Sequence, residues 1–326
     1  MQASFCNATI RTMERIITYE ITNETLTPTI GAFLTGHGIS HRILVRLKNT
    51  VNGICLNQTP ARTNTPLTVG DLLTIRLLDE APSEHIPPWN HPLEILYEDE
   101  DLIVINKEAG IPVHPSQGHY KTTLANALAG YFASRGEEFV FRAVSRLDKD
   151  TSGVILIAKH MLSSAILSSM VADRRIHRTY TAIVSGRTEE AGTITLPIAR
   201  KDASVIERCV NPEHGEYACT HYRRLAYDPA TDCSQLLLSL ETGRTHQIRV
   251  HMKAIGHPLP GDFLYHPDFR YIGRQALHSW HLSFSHPITG KVMEFTAPLP
   301  EDFRFFGSLQ EDYEEARKGY PLSPLG

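Results

Sequence analysis

The stretch that decides the fold is Ala143–Gly153, which reads AVSRLDKDTSG and lies between two runs rich in apolar and β-branched residues. These runs, Glu138–Val144 and Val154–Ala158, have the composition of strands, so we expect a sheet to hold the acidic turn between them. Such a support would fix the carboxylate of Asp148, as a nucleophile requires. The alternative is that Asp148 forms only an Asx turn, followed by ordinary turn residues.

Two further motifs favour the catalytic interpretation of this turn. Arg178–Tyr180 reads RTY, and Glu241–His251 reads ETGRTHQIRVH. One short motif has a high false-positive rate, whereas three motifs in a fixed order are hard to obtain by chance.

Together these motifs resemble the RluA-type pseudouridine synthases, a family that isomerises uridine to pseudouridine in ribosomal or transfer RNA. The likeness extends from Leu93 to Pro300. Its other matching segments are Leu96–Lys107, Gly110–Pro115, Ala158–Lys159, Tyr180–Gly186, Gly256–Asp262, Leu277–His278 and His286–Pro287.

The resemblance implies an α+β fold, in which a curved, mixed and mainly antiparallel sheet is flanked by helices and carries the active cleft across its middle. Short polar turns between successive strands favour the same antiparallel pairing. Three helices are predicted in this region, at Thr123–Ser134, Met161–Ala172 and His246–Ala254.

The composition is typical of soluble globular proteins, with 41% hydrophobic and 21% charged residues among 326. The longest apolar runs are far shorter than the roughly 20 residues that cross a bilayer. Residues 1–13 lack the apolar core of a signal peptide, so we expect a cytoplasmic protein without a membrane partner. Five scattered cysteines without a C-x-x-C pair indicate neither a disulfide framework nor a zinc site.

The net charge of −4 argues against a protein that coats nucleic acid indiscriminately, because phosphate neutralisation requires clustered cations. A locally basic groove would still bind RNA, since the local field decides where a polyanion lies. The candidate groove residues are Arg174, Arg175, Arg178, Arg223, Arg224, Arg244, Arg249 and Lys253.

The chain is predicted to contain two domains. We expect a flexible tail over residues 1–13, with Met13 as an alternative start, and a small domain over residues 14–80. A Pro-rich linker over residues 81–92 follows, because four prolines between Glu80 and Pro92 exclude a helix. The catalytic domain spans residues 93–308, and residues 309–326 form a C-terminal tail.

The small domain resembles the RNA-binding module shared with a ribosomal small-subunit protein, here called the S-four module. The matching segments are Val51–Asn57 and Val69–Ile75, and the predicted elements are strands at Ile16–Ile21, Ile54–Asn57 and Leu72–Leu77 with helices at Thr29–Leu34 and His41–Leu47. Residues 1–92 contain seven basic and seven acidic side chains, so the module is electrically neutral. Both RNA binding and an accessory role without RNA contact stay open.

The resemblance places the catalytic carboxylate at Asp148. A carboxylate could attack C1′ of the ribose, add to C6 of the base, or remove the 2′ hydrogen, and the sequence leaves these routes open. A buried carboxylate needs a fixed cation to stay ionised, so we expect one beside Asp148. The resemblance implies that Arg249 is this partner, with Arg244 as the alternative or as a phosphate ligand. Tyr180 matches the family's aromatic residue that stacks on the target base, although core packing is the alternative.

Arg146 is suited to enter the space that an extruded base leaves, or to bind phosphate. At Ser145 the sequence departs from the family's usual histidine, which removes an imidazole from this point. We also expect substrate contacts from the neighbouring motif positions Leu147, Thr151, His246, Gln247 and Ile248.

A metal or cofactor is not expected. His246 and His251 lie five residues apart on the predicted helix, a spacing that puts them on poorly matched faces, and no His-Glu-x-x-His motif accompanies them. Ser152 lacks the Gly-x-Ser-x-Gly sequence of a hydrolase nucleophile.

Two other functions compete with an RNA uridine isomerase. One is a non-catalytic RNA-binding protein that retains the fold. The other is a glycoside hydrolase that would use Asp148 with a second carboxylate, Asp150 or Glu241. We expect RNA as the partner and a monomer as the oligomeric state.

Overall fold

The computed structural model describes residues 14–79, 86–201, 204 and 206–318. The predicted tail at residues 1–13, the first part of the Pro-rich linker and the end of the C-terminal tail lie outside these residues. The α-helices are α1 (Ile30–Gly36), α2 (His41–Asn49), α3 (Leu124–Ser134), α4 (Met161–Ala172), α5 (Gln247–Ala254) and α6 (Tyr313–Arg317). No helix within the described ranges is both apolar and long enough to cross a membrane.

The strands of the described residues form three sheets. In chain order they are β1 (Glu14–Glu20), β2 (Ile54–Leu56), β3 (Thr59–Pro60), β4 (Leu72–Leu78), β5 (Glu94–Glu98), β6 (Leu102–Lys107), β7 (Ser152–Ala158), β8 (His177–Ser185), β9 (Ala191–Thr195), β10 (Ile198–Arg200), β11 (Arg208–Val210), β12 (Cys219–Asp228), β13 (Cys233–Leu240), β14 (Leu277–Ser285) and β15 (Val292–Thr296).

The N-terminal unit is a four-stranded antiparallel sheet in the order β1-β4-β2-β3, covered by α1 and α2. Thr29 and Ser40 begin these helices by accepting hydrogen bonds from backbone N–H groups of the first turn. The core of this unit includes Leu162 of α4, which is fully buried, so the unit packs directly against the larger unit to which α4 belongs. Its assignment as an S-four module stays a prediction.

The larger unit is built on a nine-stranded sheet in the order β5-β6-β7-β14-β8-β13-β12-β9, with β15 paired to β14. All its strand pairs are antiparallel except the short parallel pair of β7 and β14. This mixed, mainly antiparallel sheet with few helices confirms the predicted α+β class.

Strand β7 carries the acidic turn at its start and approaches β14 very closely. Gly153 has φ +109°, and a Cβ atom there would lie 2.1 Å from the carbonyl oxygen of Ser279. Only glycine fits both the backbone conformation and the contact, which explains the last residue of the Thr-Ser-Gly sequence.

The expected strand at Glu138–Val144 is not formed. The segment makes an isolated bridge between Ala143 and Ile157, and the Val144 N–H donates to the Leu156 carbonyl at 2.9 Å. Strand β14 pairs with β7 only at the first two residues of β7, Ser152 and Gly153. The extended segment lies along the rest of that edge of β7 and forms hydrogen bonds with its backbone groups.

The end of the described chain also differs from the expected C-terminal tail. Helix α6 packs on the sheet, where Tyr313 is 3% exposed and its ring stacks on His281 with centroids 4.0 Å apart. The Gln310 N–H donates to the side-chain carbonyl of Gln235 at 2.7 Å. Residues 309–318 are therefore part of the fold.

Candidate active site

Asp148 lies on the turn that leads into β7, and the side chains of Lys107 and Arg274 bind the backbone of this turn. Lys107 donates from Nζ to the Lys149 carbonyl at 3.0 Å, and Arg274 donates from Nη1 to the Asp150 carbonyl at 3.0 Å. The Lys107 side chain is almost fully buried, and burial lowers the pKa of its ammonium group to about 7. The backbone on both sides of the turn is thus fixed by side chains from other elements.

Helix α5 brings Arg249 to Asp148. Nη1 of Arg249 donates to the Asp148 carboxylate at 2.9 Å, while Nε and Nη2 each donate to Asp262 at 2.7 Å. Arg249 and Asp262 are buried, whereas the Asp148 side chain is 25% exposed. One guanidinium is therefore shared between a buried acid that fixes it and an accessible acid that can meet a ligand.

The charge of Arg249 is secured by its two acids. Burial alone would lower the pKa of the guanidinium, but hydrogen bonds to Asp262 and the charges of Asp148 and Asp262 raise it above its ordinary value. This permanent cation lies 2.9 Å from the Asp148 carboxylate.

Tyr180 in β8 faces the same cleft as Asp148. The cleft has a volume of about 810 Å³ and is open on one side. Tyr180 is 5% exposed, and its hydroxyl makes no hydrogen bond to any residue that the structure describes. The polar and charged residues that line the cleft include His114, Ser145, Arg146, Asp148, Lys149, Arg174, Arg178, Glu241 and Arg244.

Comparisons with known proteins identify what this cleft belongs to. A family model described as RNA pseudouridylate synthase matches residues 101–254. The uncharacterized RNA pseudouridine synthase YjbO of Bacillus subtilis is 44% identical over 267 residues, which is 81% of this chain and 93% of the relative. The chain belongs to the RNA pseudouridine synthase family.

Other relatives and a solved structure agree with this assignment. The ribosomal large subunit pseudouridine synthases D of Haemophilus ducreyi and Zymomonas mobilis are 36% and 40% identical, over 90% and 79% of this chain and 97% and 86% of theirs. Human RNA pseudouridylate synthase domain containing 1 superposes with a TM-score of 0.58 and 26% identity, covering 71% of this chain and 96% of that one. The synthase is therefore an isomerase that acts on RNA.

Only some of the basic residues predicted to form a groove line the cleft of the synthase. Arg174, Arg178 and Arg244 line it, together with Arg146, whose guanidinium donates to Thr245 at 3.2 Å. Arg174 also pairs with Glu241, and Arg244 pairs with Glu216.

The remaining groove candidates are engaged elsewhere. Arg223 binds the Ala316 carbonyl, Arg224 binds the Thr188 carbonyl, and Arg175 pairs with Asp173; Lys253 lies over the ring of Tyr265. The basic surface at the cleft is thus smaller than the sequence suggests.

His246 lies at the start of α5 in a left-handed conformation, with φ 59°. Its Nε2 is 3.8 Å from the Asp148 carboxylate, and its Nδ1 is 2.9 Å from the Tyr265 hydroxyl. Burial raises the pKa of Tyr265 to about 12. Burial also lowers the pKa of His246, and the negative charge of Asp148 partly opposes this lowering. Because the Tyr265 hydroxyl accepts the Arg208 N–H at 2.9 Å, its proton is available to Nδ1, which leaves an Nε2–H facing Asp148.

The other predicted substrate contacts fall into two groups. Leu147, Thr151 and Ile248 are nearly buried and lie around Asp148 in a small pocket beneath the cleft. Gln247 instead holds the loop before α5: its carbonyl accepts from Thr242 and from the Arg244 N–H, and its NH₂ group donates to Cys219 and Thr220. All its hydrogen-bonding capacity is used within the protein, so the amide is structural.

The sequence analysis missed Asp262 and Tyr265 as site residues. Asp262 lies within the matching segment Gly256–Asp262, but no role was assigned to it. A buried arginine such as Arg249 needs more than one acceptor for its donors, and this need is the signal that points to a second acid.

Proposed function

We propose that this synthase isomerises uridine in the RNA of the large ribosomal subunit and that Asp148 is the carboxylate that starts the reaction. The observation that carries the proposal is the Asp148–Arg249 contact of 2.9 Å at an accessible cleft, with Tyr180 on the same surface. The names of the Haemophilus and Zymomonas relatives, ribosomal large subunit pseudouridine synthase D, support the choice of ribosomal over transfer RNA.

The chemistry needs few protein groups. The N1–C1′ bond breaks, the uracil turns, and C5 bonds to C1′; the C5 proton leaves to solvent, and N1 takes up a proton in exchange. No electron, external group or cofactor enters this balance. Asp148 can act at C1′, at C6 or on the 2′ hydrogen, and in each route the Arg249 guanidinium holds the carboxylate in place through a charge-assisted hydrogen bond.

Tyr180 is proposed to stack on the extruded uracil and to assist removal of the C5 proton. Its ring contributes to the hydrophobic core while part of the side chain lines the cleft. A rigid aromatic face beside the carboxylate offers a base a stacking partner at small entropic cost. Tyr180→Phe should retain the affinity for RNA and lower the rate of C5 proton release. Tyr180→Ala should lower both the affinity and the rate.

Arg146 is proposed to enter the space that the uridine leaves. Its side chain is exposed at the mouth of the cleft, two residues before Asp148, and is held there by a single hydrogen bond to Thr245. An extruded base leaves unpaired and unstacked neighbours, and a guanidinium can stack on them and bond to them.

An RNA substrate of this kind would put the protein in the cytoplasm, and we propose that location. The monomeric state stays a prediction.

The experiment compares Asp148→Asn with Asp150→Asn, a matched control because Asp150 is not among the residues that line the cleft. Tritium release is measured from ribosomal RNA labelled at uridine C5. Asp148→Asn should lower the rate at least about 10³-fold while RNA binding persists, because the amide keeps the shape and loses the nucleophile. Asp150→Asn should stay near the wild-type rate.

A second measurement tests the substrate. Pseudouridines are mapped in total RNA from cells with and without the gene, and loss of a position in large-subunit RNA is expected. Loss confined to transfer RNA would refute the ribosomal assignment, and full activity of Asp148→Asn would refute the role of the carboxylate.

A further inference from the structure

A cluster of three potential metal ligands lies at the rim of the cleft, on the adjoining strands β12 and β13. Cys219 begins β12, His221 follows two residues later on the same face, and Glu241 comes directly after β13. Strand residues at i and i+2 point the same way, and the antiparallel partner returns beside them, so the topology brings three different ligand types together.

Two of the three separations between the ligand atoms match those that zinc requires. Cys219 Sγ lies 3.6 Å from His221 Nε2 and 3.4 Å from Glu241 Oε1, and the nitrogen and oxygen are 2.8 Å apart. Tetrahedral zinc with bonds of about 2.0–2.3 Å places its ligand atoms roughly 3.3–3.6 Å from one another. The two sulfur distances match, and the third must lengthen by about half an ångström.

Side chains around the cluster orient two of the ligands. His221 Nδ1 is 2.9 Å from the Thr193 hydroxyl, which leaves Nε2 directed at the cluster. The other carboxylate oxygen of Glu241 is held by Arg174 at 3.2 Å and by the Tyr217 hydroxyl at 3.4 Å. Such outer contacts fix metal ligands in known sites.

A nucleophilic triad fits this geometry less well. In a Cys-His-acid triad the imidazole uses one nitrogen for the thiol and the other for the carboxylate. Here Nε2 of His221 faces both Cys219 and Glu241, while Nδ1 faces a hydroxyl. Three groups that converge on one point describe a metal site better than a relay.

The one other group of potential ligands among the described residues is Asp99, Asp101 and His286. Asp101 there is paired with Arg15 at 2.7 Å and with His160 at 2.9 Å. Arg15 also donates from Nη2 to the second carboxylate oxygen of Asp101 at 3.3 Å. Both oxygens of Asp101 are therefore engaged within the protein, so the comparison favours the cysteine-containing cluster.

We propose that Cys219, His221 and Glu241 form a zinc-binding site at the rim of the RNA cleft. The thiolate, imidazole and carboxylate set is one that Zn²⁺ accepts, and three protein ligands leave a coordination position for water. Binding deprotonates the Cys219 thiol and releases that proton to solvent.

The test uses the full-length protein, reduced and stripped of metal with a chelator. Co²⁺ is added as a spectroscopic probe, and one equivalent should give the visible bands of a tetrahedral site together with a thiolate charge-transfer band. Zn²⁺ should displace it and bleach both. Zinc affinity is then measured by competition with a chromophoric chelator.

Variants separate a built site from adventitious thiol binding. Cys219→Ser should abolish the charge-transfer band and weaken zinc binding more than about 100-fold, and Thr193→Val should weaken it about 10- to 100-fold. Cys209→Ser is the matched control, because Cys209 is a partly exposed free cysteine outside the cluster, and it should bind zinc as wild type does.

Three outcomes would overturn the proposal. They are the absence of tetrahedral cobalt bands, zinc binding that survives in Cys219→Ser, and an equal loss in Cys209→Ser. Thermal unfolding of each metal-free variant must match that of the wild type, and His221→Gln provides an independent ligand deletion should Cys219→Ser fail to fold. Because the readout is metal binding, its failure leaves the role of Asp148 unaffected.

Discussion

Asp262 fixes the orientation of Arg249 through two parallel hydrogen bonds of 2.7 Å, made to Nε and Nη2. Both side chains are almost fully buried. The remaining nitrogen, Nη1, is thereby directed at Asp148. A guanidinium held along one edge has little freedom at the other, so Asp262 is a positioning residue that sets where the cation stands relative to the carboxylate.

The first prediction concerns Asp262→Asn. The change leaves the buried Arg249 without its main acid and is expected to lower the free energy of unfolding by about 3–5 kcal/mol, measured by urea titration. Tritium release should fall mainly through kcat. Asp148→Asn is the comparison, expected to cost less than about 1 kcal/mol because the Asp148 side chain is partly solvated. Equal stability of the two variants would show that Arg249 does not depend on Asp262.

Local sequence signals predicted the helices well. Helix α4 has the expected bounds, Met161–Ala172, and α3 and α5 begin one residue later than expected because Thr123 and His246 occupy their N-cap positions. Capping residues and apolar periodicity are local properties, so they can be read from the chain directly.

The parts that local signals could not predict depend on tertiary contacts. Glu138–Val144 has the composition of a strand, yet its pairing is limited by where β14 leaves β7. The motifs did single out Asp148, Tyr180 and Arg249, which the structure brings to one cleft. Asp262 could not be assigned, because its contact with Arg249 forms only when the segment before β14 folds back onto α5.

The second prediction tests how Arg146 acts. Arg146→Ala should slow tritium release roughly 10²-fold on a folded ribosomal RNA fragment, because the cost of extruding the base is no longer offset. On a short unstructured RNA that contains the same uridine, the loss should stay below about 10-fold. Equal losses on both substrates would instead assign Arg146 to phosphate binding.

The third prediction concerns the electrostatic contribution of Arg178. This residue lines the cleft and forms no ion pair with the residues that the structure describes, so its charge is available to RNA. Arg178→Gln should weaken RNA binding and reduce the slope of log K against log salt by about 1, measured by filter binding at several salt concentrations. Arg304→Gln, which alters an exposed pair with Glu301, should leave the slope unchanged.

The fourth prediction concerns acid stability and His281 in β14. The imidazole is buried beneath Tyr313, and burial, aided by the charge of Arg317, lowers its pKa to about 4. Between pH 6.5 and pH 4 the unfolded chain therefore binds a proton that the folded chain excludes, so stability is complete above this window and declines as the pH falls through it. His281 should account for about 2 kcal/mol of the stability lost between pH 7 and pH 5.

Urea unfolding at several pH values checks this prediction, with His281→Gln as the variant. A glutamine does not titrate, so the variant should lose less stability between pH 7 and pH 5 than the wild type, whatever its stability at pH 7. His214→Gln is the control, because the His214 side chain is 81% exposed and should not couple to folding. Identical pH dependence of His281→Gln and the wild type would mean that this imidazole is protonated in the folded protein.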